Sequence, residues 1–307
     1  MQCYRPELQA TAKDIDEVKQ LAEAGADAIY IGDAQFGNRL AGHFSIEEIK
    51  TATAYLHERN KRAYIMINTI FHNNHIDALT SFLTELKTIK VDGIVAGDPS
   101  IFQIISDLAF DIPLNWHPAT LSTNYQTLNF WHKRGLRRAT LANELALSAV
   151  VEIKEQVGFP IDIQVHGMSC IFQSKRSLVT NYYNHIELDY HQSKTRYIKE
   201  AKKAETHYPI FEDQNGTHIM SNEDIVMVDY LAEILDAQID GLKIEGMLKS
   251  TAYNAQIVAI YRDAIDTYLA DPEQYKMKKL GWKQAIYAIQ PNQRKIGTGF
   301  YFKEQIY

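Results

Sequence analysis

Along the chain, short runs rich in apolar and β-branched residues alternate with longer stretches in which apolar positions recur every three or four residues. The first pattern reads as buried strand, the second as amphipathic helix. Eight strand-like runs stand out: ELQATA (7–12), DAIYIG (27–32), RAYIMINTI (62–70), VDGIVAG (91–97), IPLNWHP (112–118), RATLA (138–142), PIDIQVHG (160–167) and IDGLKIEG (239–246). Their near-continuous hydrophobicity implies that both faces are covered. Between them DIDEVKQLAEAGA, SIEEIKTATAYLHERN, HIDALTSFLTELKTI and SAVVEIKEQVGF carry the helix period, and the first two open on Asp14 and Ser45 as caps. Eight such units in about 245 residues predict an α/β fold, a (β/α)8 TIM-like barrel whose site lies where strands end and helices begin. A doubly wound open sheet is the second choice.

The spacing breaks once. Residues 168–221 separate the seventh and eighth strands and form a predicted insertion, in which Asn215-Gly216 marks a tight hairpin turn. TAYNAQIVAIYRDAIDTYLA follows the eighth strand as a closing helix. We therefore expect one barrel unit over 1–271, insertion included, and a C-terminal extension over 272–307 whose end, TGFYFKEQIY, packs on the barrel as a strand.

Composition narrows the function. A formal charge of -6 and a pI near 6.0 argue against a protein that coats nucleic acid indiscriminately, while leaving room for a local basic face. No apolar run is long enough to span a membrane, and MQCYRPELQA lacks the apolar core of a signal peptide, so a cytoplasmic protein without membrane association is expected. Two distant cysteines, Cys3 and Cys170, supply neither a disulfide framework nor a zinc or iron–sulfur site by themselves.

If the barrel holds, residues at the strand ends converge on one mouth. They are Asp33 and Arg39 after the second strand, Asn68 and His72 around the third, Asp98 after the fourth, His117 in the fifth, Glu144 after the sixth, His166 and Cys170 after the seventh, and Lys243 with Glu245 in the eighth. Alternation puts Lys243 and Glu245 on one side of their strand, as mouth chemistry or as a structural ion pair. His117 and His166 are either histidines satisfied by neighbouring carbonyls or, with Glu144, the two-histidine, one-carboxylate set of a divalent metal. His72 and His75 read as the start of a helix. Arg39 suits a carboxylate or phosphate, or stays solvated. From Lys175 and Arg176 to Lys203, seven basic and three acidic residues interleave with Tyr182, Tyr183, Tyr190 and Tyr197. From Lys276 to Lys303 there are seven more basic residues and no acidic one, with Trp282, Tyr287, Phe300, Tyr301 and Phe302. Both stretches suit a single-stranded RNA loop, or a solvated helix face and a packed tail.

VHGMSCIFQSKRSLVTNYY, with AEAGADAIYIG and Arg39, NTIFHN, DGIVAGDP, NGTHIMSNEDI and DGLKIEGMLKSTAYNAQIVAIYRDAID in the same order, resembles the collagenase-like peptidase family over nearly the whole chain. The nearest motifs are those of its short members described as tRNA hydroxylation proteins. The resemblance implies a barrel-like core and oxygen-independent hydroxylation of the tRNA wobble uridine, with prephenate as co-substrate and a longer, cysteine-bearing paralogue as partner. In that setting Arg39 and Lys243 would hold a dicarboxylate, with Asn68, Asp98, Lys175, Arg176 and Tyr182 as further substrate contacts. Glu245, His166 and His117 would be candidates for proton transfer, and Lys243 and Glu144 complete the catalytic set, in a hydroxylase or its subunit. Many family members bind a four-iron four-sulfur cluster through four cysteines. Here only Cys170 matches; the next position, seven residues on, is Ser177, so a cluster is not expected in this chain. Asn143 stands where relatives carry arginine. A peptidase using Cys170 with His166, and a non-catalytic RNA-positioning subunit, are the alternatives.

Overall fold

In the computed structural model, which describes residues 4–118, 121–189, 196–292 and 294–303, each of the eight apolar runs contributes a strand. The first seven are β1 (Glu7–Thr11), β2 (Ala28–Ile31), β3 (Arg62–Ile67), β4 (Gly93–Ala96), β5 (Leu114–Trp116), β6 (Leu136–Thr140) and β7 (Ile161–Gly167). The helices between them are α1 (Ile15–Glu23), α2 (Ile46–His57), α3 (Ile76–Ile89), α4 (Ser100–Asp107), α5 (Tyr125–His132) and α6 (Leu147–Gln156). Local chemistry starts the first two as expected. The Asp14 carboxylate accepts from Glu17 N at 2.8 Å, and Ser45 forms a reciprocal capping box with Glu48.

After β7 the chain leaves the barrel for β8 (Cys170–Ser174), α7 (Leu178–His185), β9 (Arg196–Glu200), β10 (Lys203–Asp213) and β11 (Gly216–Met220). These strands make a separate antiparallel sheet in the order β8-β11-β10-β9. The hairpin between β10 and β11 turns on Gln214 and Asn215, one residue earlier than expected, with Gly216 at φ +107. A Cβ there would lie 2.0 Å from Ser174 O, so glycine is required. β12 (Glu223–Val226) returns antiparallel to β7, and α8 (Leu231–Asp236) leads to β13 (Gly241–Ile244). β13 pairs in parallel with both β7 and β1 and closes the (β/α)8 barrel.

The C-terminal extension differs from its expected form. α9 (Thr251–Ala270) is followed at once by α10 (Pro272–Ile289), capped by Asp271, which accepts from Glu273 N and Gln274 N. Its Tyr275, Trp282 and Ile286 are buried, so Trp282 packs rather than waiting for a base. The strand at the end, β14 (Lys295–Gly297), pairs with β12 and lies just before TGFYFKEQIY. Within that segment Tyr301 is buried and its hydroxyl donates to Gln164 O at 2.7 Å, while 304–307 lie outside the described residues. Asp224, fully buried in β12, fastens the extension: it accepts from Lys249 and Arg294 at 2.5 Å each and from Gln290 at 2.6 Å. Among the described residues, no helix is long and apolar enough to cross a membrane.

Apolar side chains such as Leu8, Ile29, Ile65 and Leu242 fill the layer between barrel and helices. The barrel interior is instead polar at its lower end. Arg138 lies 2.7 Å from Asp162 and 3.0 Å from Glu7; Gln9 bonds both carboxylates, and Tyr64 donates to Glu7 at 2.9 Å. Burial pushes the Asp162 pKa up, against the pull of Arg138. Gly241 leaves room for this network, since a Cβ there would meet Asp162 Oδ1 at 1.7 Å. Arg138→Ala should strand the fully buried Asp162, while Glu7 keeps Arg62, and destabilise the protein by about 3–5 kcal/mol, read as a lower urea midpoint.

Candidate functional site

The ends of the barrel strands open beneath the insertion sheet into a cavity of about 90 Å³, lined by Lys243, Glu245, His117, Asn68, Gln164 and Met247 among others. It leads outward to a cleft of about 490 Å³ between the barrel loops and β8. Asn38, Arg39, Asn68 and Cys170 border both spaces.

The floor is an ion pair. Lys243 Nζ lies 3.4 Å from Glu245 Oε2 and 5.1 Å from the centre of the Tyr30 ring, and both charged side chains are buried. Glu245 Oε1 accepts from Thr11 Oγ1 at 2.8 Å and from Met247 N at 3.3 Å, and Thr11 Oγ1 accepts from Gly246 N at 2.8 Å. The carboxylate is therefore held at a fixed place on the floor by two neighbouring strands. Alternation along β13 thus predicts the facing of this pair correctly.

On the wall, burial pushes the His117 pKa well below its ordinary value, and the Lys243 and Arg39 cations add to the effect. The ring is neutral at pH 7 and its Nδ1 has no partner. Asn68 Oδ1 accepts from Asn38 N at 2.7 Å, whereas Asn68 Nδ2 is buried without a partner. Gln164 is aimed by its neighbours, accepting from Asn143 at 2.9 Å while its amide donates to the carbonyls of His166, Gly167 and Met168. Over the rim, Arg39 (φ 55) and Asn38 both donate to Gln173 of β8, at 2.6 and 2.9 Å. Asn215 donates to Gly37 O at 3.0 Å, so the hairpin tip rests on the loop after β2.

Several sequence-predicted residues lie elsewhere. His166 does not reach the cavity. The pairing of β7 with β13 slips between Gln164 and His166, and this bulge turns His166 outward against α9, where Nε2 lies 2.9 Å from the Tyr253 hydroxyl. The two-histidine, one-carboxylate set is consequently not assembled. Among the described residues no three His, Cys, Asp or Glu side chains are grouped to hold a metal ion. Glu144 borders the cavity from an exposed rim position. Asp98 accepts from Phe71 N and Ser100 N and shapes its own loop, as Asp33 does by accepting from Gln35 N. His72 and His75 precede α3, as expected. Lys175 reaches the outer cleft, where Nζ meets Ile70 O at 3.4 Å, while Arg176 is exposed outside both spaces. Tyr182 lies on the far side of the insertion in a groove of about 460 Å³ shared with Tyr183, Tyr197, Arg196 and Leu178. Tyr190 falls outside the described residues.

Two groups escaped the sequence reading. Thr11 and Gln164, internal to predicted strands, orient the floor and wall, and only the inward parity of their strands announces them. His218, two residues beyond the hairpin glycine, is fully buried; its Nε2 lies 2.9 Å from Asp213 Oδ1 and its ring stacks on Phe211. The four-thiolate cluster implied for relatives does not fit these surroundings. Cys170 packs against Met168, Met220 and Met247, and Ser177 stands at the second position.

The chain matches the family model described as Peptidase family U32 over residues 13–306. It is 41% identical over 307 residues to the tRNA hydroxylation protein P2 of Bacillus subtilis, covering 99% of each chain. It is 29% identical over 280 residues to tRNA hydroxylation protein P1 of the same organism, covering 90% of this chain and 66% of that one. Among solved structures, a U32 peptidase aligns with a TM-score of 0.51 at 12% identity, over 80% of this chain and 94% of the other, which is a likeness of fold.

The outward His166 generates a pH prediction. Burial pushes its pKa down to about 3, Asp224 pulling the other way and Lys249 adding to the depression. Its neutral ring therefore contributes stability that is complete above about pH 6.5 and is lost as pH falls toward 3. His166→Gln should flatten this decline by up to about 1.4 kcal/mol per pH unit, measured as denaturant midpoints from pH 7 to pH 4.

Proposed function

This chain belongs to peptidase family U32, and from that membership and the chemistry of the barrel mouth we propose that it acts in oxygen-independent hydroxylation of the tRNA wobble uridine to 5-hydroxyuridine. The observation that carries the reading is the mouth itself. A buried Lys243–Glu245 pair lies under unpaired donors and beneath a roof that carries tyrosines, in a chain matched end to end by a protein named for tRNA hydroxylation.

The co-substrate we assign is a small dicarboxylate, prephenate by the family resemblance. Lys243 and Arg39 supply two cations facing one cavity, and the neutral His117 and the Asn68 amide offer hydrogen bonds to its oxygens. Glu245, fixed by Thr11, is the group nearest Lys243 for accepting or returning a proton. The groove around Tyr182 and Tyr197, both exposed, suits unstacked bases of the anticodon loop. A paralogue of the P1 type is the partner we assign, since Bacillus subtilis carries relatives of both kinds. Acting on tRNA, the protein would work in the cytoplasm. The peptidase alternative loses its expected pair, because His166 and Cys170 face different surroundings.

Deleting the gene and analysing tRNA nucleosides by mass spectrometry should remove or sharply reduce 5-hydroxyuridine derivatives; unchanged levels would sink the reading. In complementation, Lys243→Met and Glu245→Gln should each lower these derivatives by about 10²–10³-fold with tRNA binding retained. If both variants modify tRNA normally, the chain serves as a positioning subunit and the chemistry lies in its partner. Tyr182→Ala with Tyr197→Ala should weaken tRNA binding by about 1–3 kcal/mol per base lost from the groove, read by filter retention.

A further inference from the structure

Cys170 borders both the inner cavity and the outer cleft, and its thiol donates to Phe172 O at 3.2 Å. β8 and β11 are paired with Cys170 opposite Met220, and His218 lies two residues back along the same face of β11. The His218 ring is completely buried, its Nε2 is taken by the Asp213 carboxylate at 2.9 Å, and its Nδ1 makes no hydrogen bond. A buried imidazole with one nitrogen oriented by a carboxylate and the other left unpaired beside a thiol is the arrangement that activates a nucleophile. The floor chemistry described above uses none of these three residues. Burial works against protonating His218, but the Asp213 carboxylate and the neighbouring Cys170 sulfur outweigh it and raise its pKa to about 8. The outer cleft, at about 490 Å³, falls within the usual ligand-site range of about 300–1,000 Å³.

We propose that Cys170, with His218 as its base and Asp213 orienting that base, is a nucleophile that adds reversibly to C6 of the uracil ring presented at the barrel mouth. The step balances without any oxidant. With the thiol proton held on His218 as a thiolate–imidazolium pair, the sulfur forms a bond to C6, and the C5–C6 π pair moves to C5 and O4 as an enolate. Protonation at C5 gives the saturated adduct, and loss of a C5 proton with expulsion of the thiolate regenerates uracil. The enolate form of the adduct makes C5, the carbon that receives oxygen in 5-hydroxyuridine, electron-rich. The inference rests on the tRNA reading above and assigns a covalent role to a residue that this reading leaves unused.

The test follows hydrogen at C5, independently of hydroxylation. tRNA carrying 5-tritiated uridine at the wobble position is incubated with the full-length protein, and tritium released to water is counted alongside filter retention of the tRNA. The wild type should release tritium; Cys170→Ala and Cys170→Ser should release at least a hundredfold less, and His218→Gln should lower kcat at least tenfold with KM for tRNA unchanged. Because a variant can fail through folding, the wild-type protein is also incubated with tRNA bearing 5-fluorouridine at the same position, and the adduct should map to the Cys170 peptide. Retained tRNA with no tritium release and no adduct overturns this inference alone. No retention of tRNA overturns the functional reading, and this inference with it. Gelatin cleavage lost in Cys170→Ala, without tritium release, overturns it in favour of peptide hydrolysis.

Discussion

A guanidinium buried inside a ring of eight strands sets the terms for everything above it. Arg138 pairs with both Asp162 and Glu7, to which Arg62 adds a second cation, and with Gln9, Tyr30 and Tyr64 it fills the lower barrel with bonded polar groups instead of packed methyls. Burying one partner alone would be expensive, so the network forms as a unit and holds β1, β3, β6 and β7 in register. With the bottom closed in this way, the upper layer need not pack across the axis. Thr11, Gln164, Lys243 and Glu245 bond to one another or to backbone at the walls, and the centre stays hollow.

The hollow becomes a site because something covers it. Among the described residues the insertion sheet meets the barrel rim through Gln173 with Asn38 and Arg39, Asn215 with Gly37 O, and Lys175 with Ile70 O. These leave the outer cleft open while shielding the floor. In that shelter a lysine and a glutamate keep strong electrostatic influence over one another and over anything that enters, since little water screens them. The roof brings its own Cys170 to the same opening. The chemistry of the mouth is thus shared between strands distant in the chain.

Much of this was legible beforehand, for physical reasons. Strands buried on both faces must be apolar throughout, and the runs from Glu7 to Gly246 say so. Asp14 and Ser45 satisfy free backbone donors, which is why caps mark helices. Lys243 and Glu245 are correctly placed because a regular strand alternates. His166 is misplaced by the same rule, since a bulge is a property of pairing rather than of the local run. The sign of it is Gly167, at φ +96 and so close to Glu245 O that a Cβ would stand 2.1 Å away. His218 is not legible in the run because its partner Asp213, across the hairpin, and its neighbour Cys170, across the sheet, meet it only after folding. α10 announces itself in Asp271-Pro272, a cap followed by a first-turn proline, whereas its basic and aromatic residues suit a packed tail and a binding face alike.

The bulge in β7 also separates two assignments that lie side by side on one strand. Gln164 serves the cavity, and His166, two residues later, serves the clamp in which Tyr253 donates to Gln290 and Gln290 to Asp224. The content of the mouth is therefore governed by strand length as much as by residue identity. Removing one residue between these two would exchange inside for outside, delivering an imidazole to the cavity and taking it from the fastening of the C-terminal helices. In a lineage of such barrels, single-residue insertions and deletions at this point are a route to new chemistry that point substitution does not offer, and they carry with them a change in how the chain's end is held.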